Sequence, residues 1–396
     1  MPKIEKKMTE FIEKHLSLLY FIAISAVAFY IRIIGRHFLS GDMDTFLLSW
    51  FEQMQDAGGL HGLREQIGDY NILYQTFIAL MTYIPLNPMT MYKALSCVFD
   101  IGLAVAAAYF VCDLKSVPKW GRLFNTVYTV IILLPTVVLN SAYWGQCDSM
   151  YAFCILMAVC LLYREKHIPA FVFLGLSFAF KLQTVFVLPF FLAVYFVRKR
   201  FSIAMFLISL LSFWLSGGVA YIFGRDLLAP FKVYLEQTST YRSMYMCSRS
   251  IWLVFGNEYD DFGRFAIILT LSLCAVGFYM ILDKAKKIDS PDHYFSALAY
   301  FIWSCIFFLP AMHDRYAYPL DIVIIVLAFL DKRYIKFAVF SAFFSFMSYA
   351  PFLVHANGLY REDAFIELFV FAWFVYTVFN RSEDKMLKEV KDSNGR

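Results

Sequence analysis

The sequence predicts an all-α polytopic membrane protein with about 12 transmembrane helices, within a range of roughly 11 to 13. Three observations carry this expectation. Of the 396 residues, 60% are hydrophobic and 17% are charged, against about 25% charged in soluble domains. Mean hydropathy is +0.60. Apolar segments follow one another along nearly the whole chain, and Lys and Arg gather in the short turns between them. The net charge of +4 gives no reason to expect a nucleic-acid partner.

The apolar segments run 15–34, 72–86, 90–112, 120–139, 150–163, 168–180, 184–197, 203–223, 264–282, 293–310, 316–330, 334–350 and 364–380. Before the first stands MPKIEKKMTE, which mixes three lysines with two glutamates, and no small-residue cleavage site follows the apolar run. The first segment therefore reads as a retained helix. Several later segments are shorter than the ~20 residues of a perpendicular span, which suggests helices packed inside the bundle or lining a cavity. Pro135, Pro189 and Pro310 mark breaks or ends. Six of the eight cysteines (97, 112, 154, 160, 274 and 305) lie in apolar segments and read as small hydrophobes. Cys147 and Cys247 lie in or near loops, and no metal-binding cysteine spacing occurs. No linker interrupts the chain, so 1–396 reads as one integral membrane domain. Residues 1–223 would form a catalytic module, and 224–396 a C-terminal module with the 224–262 loop and a polar turn at 312–316.

Charge bias orients the segments. Basic clusters lie at Lys3–Lys14, Lys115–Arg122, Arg164–Lys166, Arg198–Arg200, Lys284–Lys287, Lys332–Lys336 and Lys385–Lys391. If these face the cytoplasm, the other face receives 35–71, 140–149, 224–262, 311–315 and 351–363. One conflict arises, because two apolar segments separate the external 35–71 loop from the internal cluster at 115–122. Either 72–86 does not fully cross, or the 113–119 turn is external. The first choice is preferred, since two adjacent basic clusters then obey the charge rule. Within 35–71, Phe46, Leu47, Trp50, Phe51 and Met54 recur at helical spacing, with Asp44 near an N-cap position and Gly58-Gly59 as a stop. This predicts an interfacial helix with its apolar face in the headgroup zone.

The unusual polar residues fall on this external face. Asp42 and Asp44, in GDMD, follow the first apolar segment. A carboxylate pair at a membrane bundle is expensive without a role, and the pair suits a general base with a second group that positions it or binds a cation. Trp144, Gln146 and Asp148 lie in YWGQCD, where amide and carboxylate groups suit sugar hydroxyls. Lys181 and Gln183, in FKLQ, interrupt a 30-residue apolar stretch; a lysine there needs a counter-charge, such as a phosphate. The 224–262 loop carries Arg225, Lys232, Arg242 and Arg249 against the charge rule. Arg249 is the best placed of these to point into a cavity. The turn Met312-His313-Asp314-Arg315-Tyr316 holds three ionisable residues in a short connection. His313 and Arg315 suit a phosphate, and Asp314 suits orienting one of them.

These motifs resemble those of the multi-spanning GT-C-type glycosyltransferases that use polyprenyl-phosphate sugars, most closely bacterial relatives of the GPI mannosyltransferases. The resemblance covers most of the chain and rests on Asp42/Asp44, YWGQCD, FKLQ and MHDRY, where Asp314 stands in place of a more usual glutamate. It implies a GT-C-like bundle with Asp42 or Asp44 as base, and His313 and Arg315 on the donor phosphate beside Lys181 and Arg249. Trp144, Gln146, Asp148, Gln183, Asp314 and Tyr316 would serve sugar or acceptor. It further implies inverting transfer of a hexose, mannose by family flavour, at the external face of a bacterial plasma membrane. The acceptor would be a lipid-linked glycan, wall polymer, glycolipid or protein. A divalent cation, Mg or Mn, at Asp42 and Asp44 is left open. A transporter or flippase for an anionic glycolipid, or a ligase or polymerase using lipid-pyrophosphate donors, would share the external basic residues.

Overall fold

A computed structural model describes residues 2–283 and 288–394, with the side chains of Ser239 and of residues 381–394 left out. The basic cluster at Lys284–Lys287 lies outside what is described, and of the cluster at Lys385–Lys391 only the backbone is described. The chain is built from α1 (Lys3–Gly35), α2 (Leu48–Asp56), α3 (Ile72–Met81), α4 (Pro88–Leu114), α5 (Arg122–Ile132), α6 (Pro135–Val138), α7 (Asp148–Tyr163), α8 (His167–Phe180), α9 (Leu188–Arg198), α10 (Met205–Leu215), α11 (Gly218–Ile222), α12 (Ala229–Thr240), α13 (Tyr259–Asp283), α14 (Pro291–Phe308), α15 (Tyr318–Leu330), α16 (Ile335–Val354) and α17 (Arg361–Asn394). Among the described residues four helices are long and apolar enough to cross a membrane, α1, α4, α13 and the Lys332–Val354 stretch, or five if a bent pair counts as one span. That pair, Arg122–Ile132 and Pro135–Trp144, bends by 53°, where Pro135 supplies no amide hydrogen to continue the ladder. Shorter apolar helices, including α3, α7, α8, α10 and α15, pack among them.

The conflict over 72–86 resolves by length. Helix α3 has 10 residues and so rises only ~15 Å, about half of a ~30 Å hydrocarbon core. One long helix, α4, therefore carries the chain from the first loop to Lys115. The turns that follow gather at a common end. Arg164 pairs with Asp113 at 2.5 Å, Arg198 donates to the Tyr163 carbonyl at 3.2 Å, and Lys115 donates to the Phe329 carbonyl at 2.9 Å. The 35–71 and 140–149 segments meet at the opposite end, as the charge bias predicts.

One expectation is corrected. The apolar face of the first-loop helix does not lie free for lipid headgroups: Leu47, Phe51 and Met54 are buried in the core, which removes more apolar area from water than an interfacial position would. The helix opens with a π turn over Met43–Leu47 and ends before Gly58 and Gly59, both at positive φ. The all-α class holds, with a single short strand pair among the described residues. Two-residue strands, β1 (Tyr245–Met246) and β2 (Met312–His313), pair in parallel. The Ala311 amide donates to the Ser243 carbonyl at 3.0 Å. The 224–262 loop thereby clamps the polar turn.

Candidate active site

A cavity of about 420 Å³ opens at the end opposite the basic turns. Its wall is drawn from six parts of the chain: Asp42, Trp50 and Tyr70 from the first loop; Gln146; Lys181 and Gln183 before α9; Tyr234 and Tyr241 at α12; His313, Arg315 and Tyr316 from the polar turn; and Phe352 of α16. The first loop is seated on YWGQCD by close packing. Gly145 adopts φ 78°, and a Cβ there would sit 2.3 Å from Met43 Cε. Ser40 Oγ donates to the Trp144 carbonyl at 3.0 Å and accepts from the Met43 amide at 3.2 Å. The left-handed backbone at Gly145 favours a residue without a side chain, and the lack of one leaves room for Met43.

That seat aims Asp42. Its Oδ2 accepts from Trp144 Nε1 at 3.0 Å and from Gln146 Nε2 at 2.8 Å, and lies 3.4 Å from Arg315 Nη1. Tyr70 donates its hydroxyl proton to Gln146 Oε1 at 2.8 Å, so the amide of Gln146 is held with its nitrogen toward Asp42. Asp44 is different. It is exposed and absent from the cavity wall. The two aspartates therefore do not act as a pair facing one ligand. Among the described residues no group of three or more His, Cys, Asp or Glu is placed to hold a metal ion, and Oδ2 of Asp42 is already taken by donors. Asp42 and Asp44 do not fit a shared cation.

Lys181 is buried and its ammonium is paired with Asp148 Oδ1. Its counter-charge is thus a protein carboxylate rather than an empty phosphate subsite. Asp148, with no side-chain exposure, also accepts from Asn140 Nδ2 at 2.8 Å through Oδ2, and that oxygen lies 3.7 Å from Arg315 Nε. Trp144, Asp148 and Asp314 all stand behind the cavity wall. They position Asp42, Lys181 and Arg315 and are not themselves presented to a sugar. Gln146, Gln183 and Tyr316 do line the cavity.

The electrostatics centre on Arg315. Its guanidinium lies against Asp42, Asp148 and Asp314, at 3.4, 3.7 and 3.5 Å, and 5.3 Å from the Trp144 ring centroid. Burial opposes its charge, but the surrounding acids hold its pKa well above the usual value. Burial pushes the Asp314 carboxyl up to about 7, against the pull of Arg315 and with the repulsion of Asp42 and Asp148. His313 moves the other way. Burial, with Arg315 and Lys181 nearby, brings its imidazole down to about 3, so it is neutral at physiological pH and offers an N–H or a lone pair, not a cation. Tyr241 and Tyr316 pack against its ring at 4.9 and 5.1 Å.

Arg249 lies elsewhere. It is 2% exposed and absent from the cavity wall. Its Nε donates to Glu367 Oε1 at 2.7 Å and its Nη1 to Ser341 Oγ at 2.9 Å. The other cations of the 224–262 loop also have protein partners: Arg225 bonds Gln66, Lys232 pairs with Asp226, and Arg242 lies 2.5 Å from Asp260. Internal pairing accounts for the loop's departure from the charge rule. Cys147 and Cys247 are both free.

Sequence reasoning missed Tyr70, Asn140 and Tyr241. Tyr70 and Tyr241 acquire their roles from partners distant in the chain, Gln146 and His313, and Asn140 from Asp148 across the turn before α7. It also passed over Arg32, Asp100, Asp321 and Glu367, charges inside apolar segments that the rarity of intramembrane charge would have signalled. Arg32 pairs with Asp100 at 2.8 Å.

Fold and site together define a helical membrane protein with a polar, acid-bearing cavity at one end of its bundle. Residues 71–308 match the model of glycosyltransferase family 87, and the chain belongs to that family. The match covers more than half of the chain and includes the segments that carry Gln146, Lys181 and Arg249. No curated protein matches the chain. The resemblance to GT-C-type membrane enzymes thus holds at the level of a glycosyltransferase family.

Proposed function

We propose that this protein transfers a hexose from a polyprenyl-phosphate donor to a hydroxyl acceptor, with inversion, on the extracytoplasmic face of a bacterial plasma membrane. The acceptor belongs to a lipid-linked glycan, wall polymer, glycolipid or protein, and mannose is the first sugar to test. The shorter apolar helices other than α3 would complete a bundle of about 12 spans in a single integral domain, with residues 1–223 and 224–396 as its two modules. One observation carries the reading: in a family 87 chain, the Asp42 carboxylate is held at the cavity wall by Trp144 and Gln146 while the Arg315 guanidinium faces it at 3.4 Å. That is a base set beside a fixed cation.

The acceptor oxygen attacks the anomeric carbon, and its proton passes to Asp42. The bond between that carbon and the phosphate oxygen breaks, and its electron pair leaves on the phosphate. Arg315 stabilises the charge that develops there, in a fixed orientation that needs no reorganisation during the step. Neutral His313 donates a hydrogen bond to the same group. Lys181, locked to Asp148, contributes its field rather than a free ammonium. Gln146, Gln183 and Tyr316 bind sugar hydroxyls. Family membership favours this transfer over a flippase reading, which would also use buried cations.

The test is product formation by purified protein supplied with a polyprenyl-phosphate hexose and a membrane acceptor extract. Transfer that is lost in Asp42→Asn, with normal yield of folded protein, supports the reading. Full activity in Asp42→Asn, or use of a pyrophosphate donor in preference to the monophosphate, overturns it.

A further inference from the structure

The guanidinium of Arg315 is crowded by acids but poorly bonded. Charge-assisted hydrogen bonds between Arg and carboxylate run about 2.7–2.9 Å, commonly two in parallel. Here the three carboxylates stand at 3.4, 3.7 and 3.5 Å, and Nε is buried without a hydrogen-bond partner. Asp314 is equally unusual: it is 1% exposed and its Oδ2 is buried with no partner. An ionised carboxylate rarely leaves a buried oxygen unbonded, because desolvation is then uncompensated.

Charge bookkeeping sharpens the point. Asp42, Asp148 and Asp314 face Arg315 and Lys181, so the fully ionised cluster carries one carboxylate in excess. An anionic headgroup placed on Arg315 would leave two anions in excess in a largely buried site, where effective dielectric is low. One proton taken up at a buried carboxylate relieves this. Asp42 is 19% exposed at its side chain and bonded by Trp144 and Gln146, and Asp148 is bonded by Lys181 and Asn140. Asp314 alone has an unbonded buried oxygen and a weak hold on its cation.

We propose that Asp314 is the charge-balancing partner of Arg315, taking up a proton when the phosphodiester headgroup of the donor docks on that guanidinium. This rests on the donor reading above and extends it to the electrostatics of binding. The groups that face Asp314 are Arg315 and Tyr316 of its own turn, Asp42 of the first loop, Asp148 at the start of α7, Cys247 beside β1 and Tyr349 of α16. Asp69 and Glu236 also line the cavity but are exposed to water, which screens them. Burial raises the Asp314 carboxyl to about 7, which places the exchange in an accessible range. Below that range the free protein already holds the proton and binding takes up none. Above it, binding requires uptake, so affinity falls as pH rises, by at most about tenfold per pH unit for one proton.

The experiment uses the full-length protein in nanodiscs and a short-chain prenyl phosphodiester of a hexose. A phosphodiester carries one charge that does not titrate here, unlike a phosphomonoester with a second pKa of about 6. Calorimetry at pH 8 in two buffers of different ionisation enthalpy reads the proton count directly. A positive uptake approaching one proton, falling toward zero at pH 6, is the expected result. Binding without uptake at pH 8 overturns the proposal even if Asp314→Asn cannot be made. In Asp314→Asn, which is permanently neutral, dissociation constants measured from pH 6 to 8.5 should lose the wild-type slope. An unchanged slope also overturns the proposal. Failure of the wild type to bind the phosphodiester at all, while it binds a pyrophosphate lipid, would instead refute the donor reading.

Discussion

Two arginines of this chain sit among buried acids and differ in how they are bonded. Arg249 is sealed in the helix bundle. Its donors reach Glu367, Ser341 and Ser345 at 2.7 to 3.3 Å, Asp321 lies 3.8 Å away, and Trp303 Nε1 donates to the same Glu367 oxygen at 3.0 Å. Arg315 has more acids around it but only long contacts, a buried Nε without a partner, and one side open to a cavity. A buried charge held by several short bonds specifies packing. One left underbonded beside a cavity is disposed to bind something else. Each keeps one buried guanidinium nitrogen without a hydrogen bond, Nη2 of Arg249 and Nε of Arg315; what separates them is the length of the remaining contacts and access to the cavity.

The comparison can be broken by substitution. The largest effect on chemistry is expected for Asp42→Asn, with transfer reduced by about 100- to 10,000-fold, the usual contribution of a general base. The initial rate of labelled-sugar incorporation measures this, and a loss under tenfold would remove Asp42 as the base. The largest effect on stability is expected for Arg249→Ala. It leaves Glu367 and Asp321 buried without their cation, at a cost of about 3–5 kcal/mol, read as a lower Tm or loss of monodisperse protein. Replacing Arg249, Asp321 and Glu367 together by Met, Asn and Leu should recover most of that loss, because no charge is then stranded.

Arg315→Lys comes next. It keeps the charge but loses the planar fork, so the KM for donor should rise about tenfold while Tm moves little. A drop in Tm as large as that of Arg249→Ala would make the two arginines equivalent and end the comparison. The smallest effect is expected for Asp44→Asn. As an exposed residue outside the cavity wall it should leave the rate within about twofold of wild type. Loss of activity comparable to Asp42→Asn would restore the two aspartates as a working pair.

Much of this site was legible before the structure, and the reasons differ residue by residue. Arg315 and His313 stood out because a five-residue turn between apolar helices has no packing use for three ionisable groups. Lys181 stood out because apolar segments flank it on both sides. The same logic placed Arg249 in the site wrongly. A cation beside an apolar run requires a partner, but the run cannot say whether that partner is a substrate or Glu367, 118 residues further along the chain. Asp42 and Asp44 could not be told apart for a similar reason. Two residues on a helical turn point about 200° apart, yet which one faces inward depends on how Met43 and Gly145 pack.

The sequence by itself determined the membrane character, the segregation of the described basic turns to one end, and the end at which the polar motifs meet. Those follow from composition and from charge placed between apolar segments, properties additive along the chain. Only the tertiary structure decided that α3 is too short to cross, that Asp148 and not a ligand neutralises Lys181, and that Asp42 turns inward while Asp44 faces water. These depend on contacts between residues tens to hundreds of positions apart, where a difference of about 1 Å in a polar distance separates a bond from a vacancy, and no local pattern encodes such a distance.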